Sequence, residues 1–154
     1  LHDALPIYRP AAAVDVAERH AVPARVMPRS DYPDRLTQQT AMRDALLDAG
    51  VDFVALAGFA AVLEPVVVDA FDGRILNIHP SLLPAFPGLD SQRQALEYGA
   101  RVAGCTVHFV DEECDHGPII LQAAVPIEEG DTDATLSARI LEREHEIYVK
   151  AAGL

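Results

Sequence analysis

The sequence has little cysteine, little positive charge and no long apolar run. Its two cysteines, Cys105 and Cys114, are too few for a disulfide scaffold and favour a reducing compartment, so we expect a cytoplasmic protein. Only 12 Lys and Arg residues stand against 24 Asp and Glu residues, a formal net charge of −12. A surface this acidic repels phosphate backbones, so nucleic acid is not an expected partner. No apolar run reaches the roughly 20 residues of a membrane span, and no signal peptide opens the chain, so no membrane association is expected.

Short apolar runs alternate along the 154 residues with segments of helical pattern. This alternation is typical of a single α/β domain with a mainly parallel, twisted sheet flanked by helices. The run over residues 51–57 suits a strand buried on both faces, and further strands are predicted over residues 74–78, 105–110 and 119–125. Capping residues and glycine stops predict helices that begin at Asp31, Ser91 and Thr132 and end near Ala49, Tyr98 and Ala151.

Two polar side chains, Asn77 and His79, stand at the carboxyl end of the strand predicted over residues 74–78. Ile75, Asn77 and His79 are two residues apart and therefore share one face. Ligands of open α/β sheets bind beyond the carboxyl ends of strands, and an amide with an imidazole can hold and polarise a carbonyl oxygen there. The alternative, which is favoured for so short a motif alone, is structural: Asn77 bonds the backbone and His79 caps the proline-rich loop that follows.

Asp115 lies in an acidic loop (EECDHGP) between two predicted strands. A carboxylate near His79 would orient the imidazole ring and raise its pKa. The alternative is a solvated acidic turn. Cys114, His116 and His108 lack the ligand spacing of a zinc site, so no metal is expected here.

Glu144 falls inside the apolar stripe of the last predicted helix, between Ile140 and Ile147. A carboxylate on a core-facing stripe needs a partner. It either pairs with a nearby arginine, such as Arg143 or Arg139, or lines a substrate cleft. The residues alone leave both interpretations open.

Several blocks of sequence together resemble phosphoribosylglycinamide formyltransferase, the folate-dependent enzyme of the first formyl transfer in purine synthesis. They are NIHPSLLP (residues 77–84), FPG (86–88) and RQAL (93–96), followed in order by TVHFV (106–110), Asp115, GPIILQ (117–122) and EHEIY (144–148). LAGF (56–59) precedes them, and the resemblance covers residues 9–150. It implies a Rossmann-like formyltransferase fold.

The resemblance also implies roles for individual residues. Asn77, His79 and Asp115 match the family's catalytic trio: Asn and His bind the formyl oxygen of 10-formyltetrahydrofolate, and Asp raises the pKa of His. The amine of glycinamide ribonucleotide then attacks, an oxyanion forms and tetrahydrofolate leaves, with no metal. Glu144 matches a position that contacts the ribonucleotide substrate. Folate-contacting positions are matched by Arg35, Ala60, Ala61, Val62, Leu63 and Asn77.

The sequence departs from the family pattern at three places. Asp90 and Gln92 stand where family members carry histidines, and Ala60 and Ala61 replace a bulkier Met-Arg pair. The third departure is the family's opening strand and glycine-rich phosphate loop, which the sequence lacks. We therefore expect residues 1–8 to be an unrelated segment and residues 9–154 to be a partial formyltransferase domain, without its first strand and shortened at its C-terminus.

The sequence thus predicts a cytoplasmic formyltransferase acting on small molecules, as a monomer or weak homodimer. Without the phosphate loop, this form is expected to transfer formyl weakly or not at all. Two alternatives stay open: formyltetrahydrofolate deformylase, a hydrolase that shares the Asn/His/Asp trio, and an inactive folate-binding fragment. Methionyl-tRNA formyltransferase is disfavoured because tRNA would need a basic surface.

Overall fold

Helices and strands alternate in the computed structural model, which describes residues 12–59 and 61–153. The helices are α1 (Ala12–Arg19), α2 (Arg35–Asp48), α3 (Pro65–Val68), α4 (Ser91–Tyr98) and α5 (Asp133–Ala152). The strands are β1 (Val54–Leu56), β2 (Ile75–His79), β3 (Val102–Phe109) and β4 (Ile119–Pro126). By their contacts the described residues form two units: a helical unit (residues 12–52 and 61–71) and a sheet unit (residues 53–59 and 72–153). The predicted unrelated segment, residues 1–8, lies outside the described part of the chain.

In the helical unit, α2 begins after Asp34 and not at Asp31, which corrects the predicted boundary. Tyr32 is extended (φ −127°, ψ 146°), because the ring of Pro33 disfavours a helical conformation in the residue before it. The Asp34 carboxylate accepts a hydrogen bond from the Thr37 backbone N–H at 2.7 Å, which lowers the pKa of this carboxyl. The helix ends before Gly50, as predicted, where φ is +66°.

Two buried glutamines of α2 connect it to neighbouring backbone within the helical unit. Gln38 donates to the Met27 carbonyl at 2.8 Å. Gln39 donates to the Val62 carbonyl at 3.0 Å and accepts from the Glu64 N–H at 2.7 Å. The backbone of residues 62–64 is thereby held against α2.

The sheet unit contains a four-stranded sheet, among the described strands, in the order β1-β2-β3-β4. β1 pairs with β2 in parallel, whereas β2 with β3 and β3 with β4 pair antiparallel. The predicted α/β class is confirmed, but over these strands the pairing is mixed and not mainly parallel. The link from β3 to β4, residues 110–118, contains no helix and is shorter than the dozen or so residues of a parallel crossover, so this pair is a hairpin. β1 is shorter than predicted and only partly buried.

Helix α5 packs its apolar stripe on β3 and β4. Leu136 and Ile140 are fully buried and form one cluster with Ala103, Cys105 and Val125. The Thr132 hydroxyl caps the helix by accepting from the Thr135 N–H, which confirms the predicted start. This packing fixes which face of α5 looks toward the sheet.

Candidate active site

Strand β2 carries Asn77 and His79 at its carboxyl end. His79 is only 5% exposed and Asn77 is partly buried. Asn77 lies opposite Leu56 of the parallel strand β1 on one side and His108 of β3 on the other. The two predicted site residues therefore sit in the middle of the described sheet, where neighbouring strands can add further side chains to them.

The proline-rich loop after β2 folds back over His79. The ring nitrogen Nε2 of His79 lies 3.0 Å from the Phe86 carbonyl oxygen, and the Ser81 hydroxyl donates to the Ala85 carbonyl. Ser91 is the first residue of α4 and not its cap as predicted, and its hydroxyl donates to the Pro80 carbonyl at 3.0 Å. The structural alternative for His79 holds in part, because His79 does contact the backbone of this loop.

Polar side chains of β3 and β4 hold the same loop in place: Thr106 is fully buried and Gln122 lies at an exposed position. The Thr106 hydroxyl donates to the Ser81 carbonyl at 2.7 Å and accepts from the Leu83 N–H at 3.0 Å. Gln122 donates to the Leu83 carbonyl at 2.9 Å and to the Thr106 hydroxyl at 3.0 Å. The loop that presents the Phe86 carbonyl to His79 is thus tied to the sheet by paired polar groups.

Asp115 lies in the loop of the β3–β4 hairpin, and its carboxylate contacts the His79 ring. Its Oδ2 lies 3.4 Å from His79 Nδ1 and accepts the Gly88 N–H at 2.8 Å. The carboxylate is only 10% exposed, so the alternative of a solvated acidic turn is wrong. The Cys114 thiol also lies 3.5 Å from Oδ2, and burial raises the pKa of that thiol.

Both ring nitrogens of His79 therefore face oxygen atoms. Nδ1 faces the Asp115 carboxylate and Nε2 faces the Phe86 carbonyl. Neither oxygen can donate, and only an imidazolium has an N–H on both nitrogens. The arrangement can hold a cationic ring with two donors next to the Asn77 amide.

His108 was weighed in the sequence only as a zinc ligand, and its place in the catalytic cluster was missed. Its Nε2 lies 3.2 Å from Asn77 Nδ2 and 3.8 Å from Asp115 Oδ1, and the residue is 2% exposed. The available signal was the alternation of Thr106 and His108 along β3, which puts both side chains on one face. That signal becomes informative only with the β2–β3 register, which pairs His108 with Asn77.

Glu144 lies partly buried on α5. Burial raises the pKa of this carboxyl, and the positive charges of His145 and His79 oppose the shift. The predicted arginine pairs do not form, since Arg143 binds Glu146 at 2.7 Å and Arg139 binds Asp131 at 2.7 Å. The charge of the catalytic candidate His79 is thus one of the influences on Glu144.

Tyr148, one helical turn after Glu144, is a second residue that the residue-level reasoning missed. Its hydroxyl donates to the Leu56 carbonyl at 2.6 Å and lies 3.2 Å from the Leu76 carbonyl. Burial raises the pKa of the phenol well above its ordinary value. These contacts hold this part of α5 against the last residue of β1 and the second residue of β2, and so help to position Glu144.

The predicted folate-contacting residues that are described, Asn77 apart, lie in the helical unit. Arg35 donates from Nε to the Glu64 carboxylate at 2.5 Å and is half exposed. Val62 is 50% exposed. Ala61 is exposed and Leu63 is partly buried, whereas Ala60 lies outside the described residues.

Neither a metal-ligand group nor a membrane-spanning helix occurs in the described part of the chain. Within residues 12–59 and 61–153, no group of three or more His, Cys, Asp and Glu side chains could hold a metal ion. His116, one residue of the zinc alternative, instead contacts Asp111 at 3.0 Å. No helix of the described part of the chain is long and apolar enough to cross a membrane.

Gly117 allows the Asp115 loop to close on β3. A Cβ atom at this position would overlap the carbonyl oxygen of Phe109. Gly117→Ala is therefore expected to lower the free energy of unfolding by about 1–3 kcal/mol, measured by urea denaturation. Gly153→Ala is the matched control, because its added Cβ meets nothing closer than 3.6 Å. Equal stability of the two variants would contradict this account of the loop.

The chain is similar in sequence to proteins of known function. A family model described as formyl transferase matches residues 8–152. The human trifunctional purine biosynthetic protein adenosine-3 is 48% identical over 143 residues, which are 93% of this chain but only 14% of that protein. Phosphoribosylglycinamide formyltransferase of Bacillus subtilis (strain 168) is 41% identical over 138 residues, 90% of this chain and 71% of that one.

Solved structures agree with the sequence comparison. The crystal structure of glycinamide ribonucleotide transformylase 1 from Symbiobacterium toebii matches with a TM-score of 0.95 and 50% identity, over 98% of this chain and 71% of that chain. This likeness confirms the predicted Rossmann-like formyltransferase fold. The family match, the identities and the fold together show that the chain belongs to the formyl transferase family and, within it, to the phosphoribosylglycinamide formyltransferases.

Proposed function

We propose that this chain transfers a formyl group from 10-formyltetrahydrofolate to the amine of glycinamide ribonucleotide, a reaction of purine biosynthesis. The observation that carries the proposal is the cluster of Asn77, His79 and Asp115 at the carboxyl end of β2. It occurs in a chain 41% identical to a phosphoribosylglycinamide formyltransferase over most of both lengths. The substrates are small molecules, and the monomeric or weakly dimeric state and the cytoplasmic location remain predictions.

The residues present fit the chemistry of acyl transfer. When the substrate amine attacks the formyl carbon, a C–N bond forms, negative charge develops on the formyl oxygen, and the bond from that carbon to the folate nitrogen then breaks. Donors aimed at such an oxygen stabilise the charge in a water-poor site. The Asn77 amide and the His79 ring supply those donors. The attacking amine must lose a proton to a nearby base or water, and the departing folate nitrogen must gain one.

Asp115 serves in this proposal as the residue that orients His79. Its carboxylate faces Nδ1 at 3.4 Å and is itself held by the Gly88 N–H at 2.8 Å. A carboxylate fixed in this way keeps a proton on Nδ1 and sets the plane of the ring. His79 can then present its other nitrogen as a donor, once the Phe86 carbonyl yields that position to the substrate.

The remaining site residues are proposed to bind the two substrates. Glu144, partly buried with the charge of His79 acting on it, is suited to hold the amino group of the ribonucleotide. In the helical unit, the half-exposed Arg35 cation is suited to an anionic part of the folate. The backbone of residues 61–63 is proposed to contact the pterin, and Ala60 is proposed with them by the resemblance alone.

The test separates transfer from hydrolysis. The protein is incubated with 10-formyltetrahydrofolate with and without glycinamide ribonucleotide, and tetrahydrofolate, formylated product and formate are quantified. Amine-dependent release of tetrahydrofolate with matching formylated product supports the proposal. Formate release at the same rate without the amine would instead show a deformylase. Folate binding without either product would favour the inactive fragment.

A further inference from the structure

His108 lies between the two side chains that Asn77 and Asp115 contribute to the site. Its ring is almost fully buried, with 2% of the residue exposed. Nδ1 lies 2.8 Å from the Phe109 carbonyl oxygen, and Nε2 lies 3.2 Å from Asn77 Nδ2. The proposed reaction assigns no role to this ring, so its contacts raise the question of what it contributes.

The contact with Phe109 determines which ring nitrogen carries a proton. A carbonyl oxygen only accepts, so Nδ1 of His108 must be the N–H that faces it. In the neutral ring Nε2 is then a bare acceptor. The atom that faces it is the amide nitrogen of Asn77, a donor, which matches this tautomer.

We infer, on the basis of the proposed function, that His108 is a positioning residue that fixes the orientation of the Asn77 amide. An amide can rotate by half a turn and exchange its oxygen for its nitrogen, and both orientations have the same shape. With Nε2 accepting one N–H of Asn77, the second N–H stays available as a donor for the formyl oxygen. In the reversed orientation the amide oxygen would take that place and repel the developing negative charge.

With this tautomer, His108 does not compete with His79 for the Asp115 carboxylate. Asp115 Oδ1 lies 3.8 Å from His108 Nε2, whereas Oδ2 lies 3.4 Å from His79 Nδ1. A bare Nε2 has no proton to donate, so it does not compete for the carboxylate. His108 thus orients one catalytic candidate and does not disturb the pair formed by the other two.

Nuclear magnetic resonance tests the inference without any substrate. Long-range proton–nitrogen correlation distinguishes a protonated from a bare ring nitrogen, and the His108 signals are assigned by their absence in a His108→Gln variant. We expect Nδ1 to be protonated and Nε2 bare in the wild-type protein. We also expect one side-chain N–H of Asn77 to be shifted by its hydrogen bond. A protonated Nε2 would overturn the inference.

A double-mutant cycle tests the effect on transfer. His108→Leu removes the acceptor, and we expect kcat to fall about tenfold with little change in the KM for the amine substrate. His108→Gln supplies a side-chain oxygen as acceptor, and we expect it to recover at least part of this loss. In an Asn77→Ala background, His108→Leu should cost less than about twofold, because its target is already absent. An equal tenfold loss in both backgrounds would show a merely structural role.

The two readouts keep this inference separate from the proposed function. If the wild-type protein transfers no formyl group, the proposed function fails, while the ring tautomer and the Asn77 amide signal still decide the contact. Circular dichroism and thermal unfolding show whether each variant folds, and His20→Gln, at an exposed histidine of the helical unit, serves as a control. If His108→Leu does not fold, the wild-type spectrum and the His108→Gln variant still give a decisive result.

Discussion

Replacement of His79 by alanine is expected to lower kcat for formyl transfer by about 10²- to 10⁴-fold. The variant removes the ring that the Asp115 carboxylate and the β2 backbone hold next to Asn77. Without it, the developing charge on the formyl oxygen keeps only the amide donor. The measurement is kcat from steady-state formation of formylated ribonucleotide, with folding checked by circular dichroism.

His116→Ala is the matched control for this prediction. His116 also contacts a carboxylate, Asp111 at 3.0 Å, but its side chain is 65% exposed and lies outside the cluster. The hydrogen bond with Asp111 raises the pKa of His116. We expect its replacement to change kcat by less than about threefold. Similar losses in the two variants would refute the assignment of His79 as the oxyanion partner.

Replacement of Glu144 by glutamine is expected to lower kcat/KM for the amine substrate about 10- to 100-fold, mainly through KM. Glutamine keeps the shape and one oxygen but loses the negative charge proposed to hold the amino group. Glu142→Gln, at an exposed position of the same helix, is the control. An unchanged KM for the ribonucleotide would remove Glu144 from the proposed substrate site.

Glu144→Gln lowers activity but is expected to raise stability. The direction of the stability change follows from the pKa of the Glu144 carboxyl. Burial raises the pKa of the Glu144 carboxyl above its ordinary value of 4.5, so the folded protein binds this proton more tightly than the unfolded chain. The free energy of unfolding therefore loses this contribution as the pH rises through the raised pKa. Compared with the wild type, Glu144→Gln is expected to gain thermal stability from pH 4 to pH 7. Parallel curves over that range would contradict the burial of this charge.

Asn77 and His79 could be found from sequence because they lie two residues apart on one strand. Period-two geometry alone puts them on one face at the carboxyl end of β2. Asp115 was identified only as a carboxylate in an acidic loop, and its contact with His79 came from the resemblance. His108 was considered only as a zinc ligand, because its contact with Asn77 depends on the pairing of β2 with β3.

The sequence alone determined the features that depend on neighbours within a few positions. Glycine at position 50 ends α2, Thr132 caps α5, and the alternation of apolar runs sets the α/β class. Tertiary structure decided the rest: the antiparallel direction of β3, the partners of Arg139 and Arg143, and the contact between His108 and Asn77. The physical reason is the range of the interactions. Caps and turns are satisfied by local hydrogen bonds, whereas strand direction and side-chain partners are chosen by packing between segments distant in the chain.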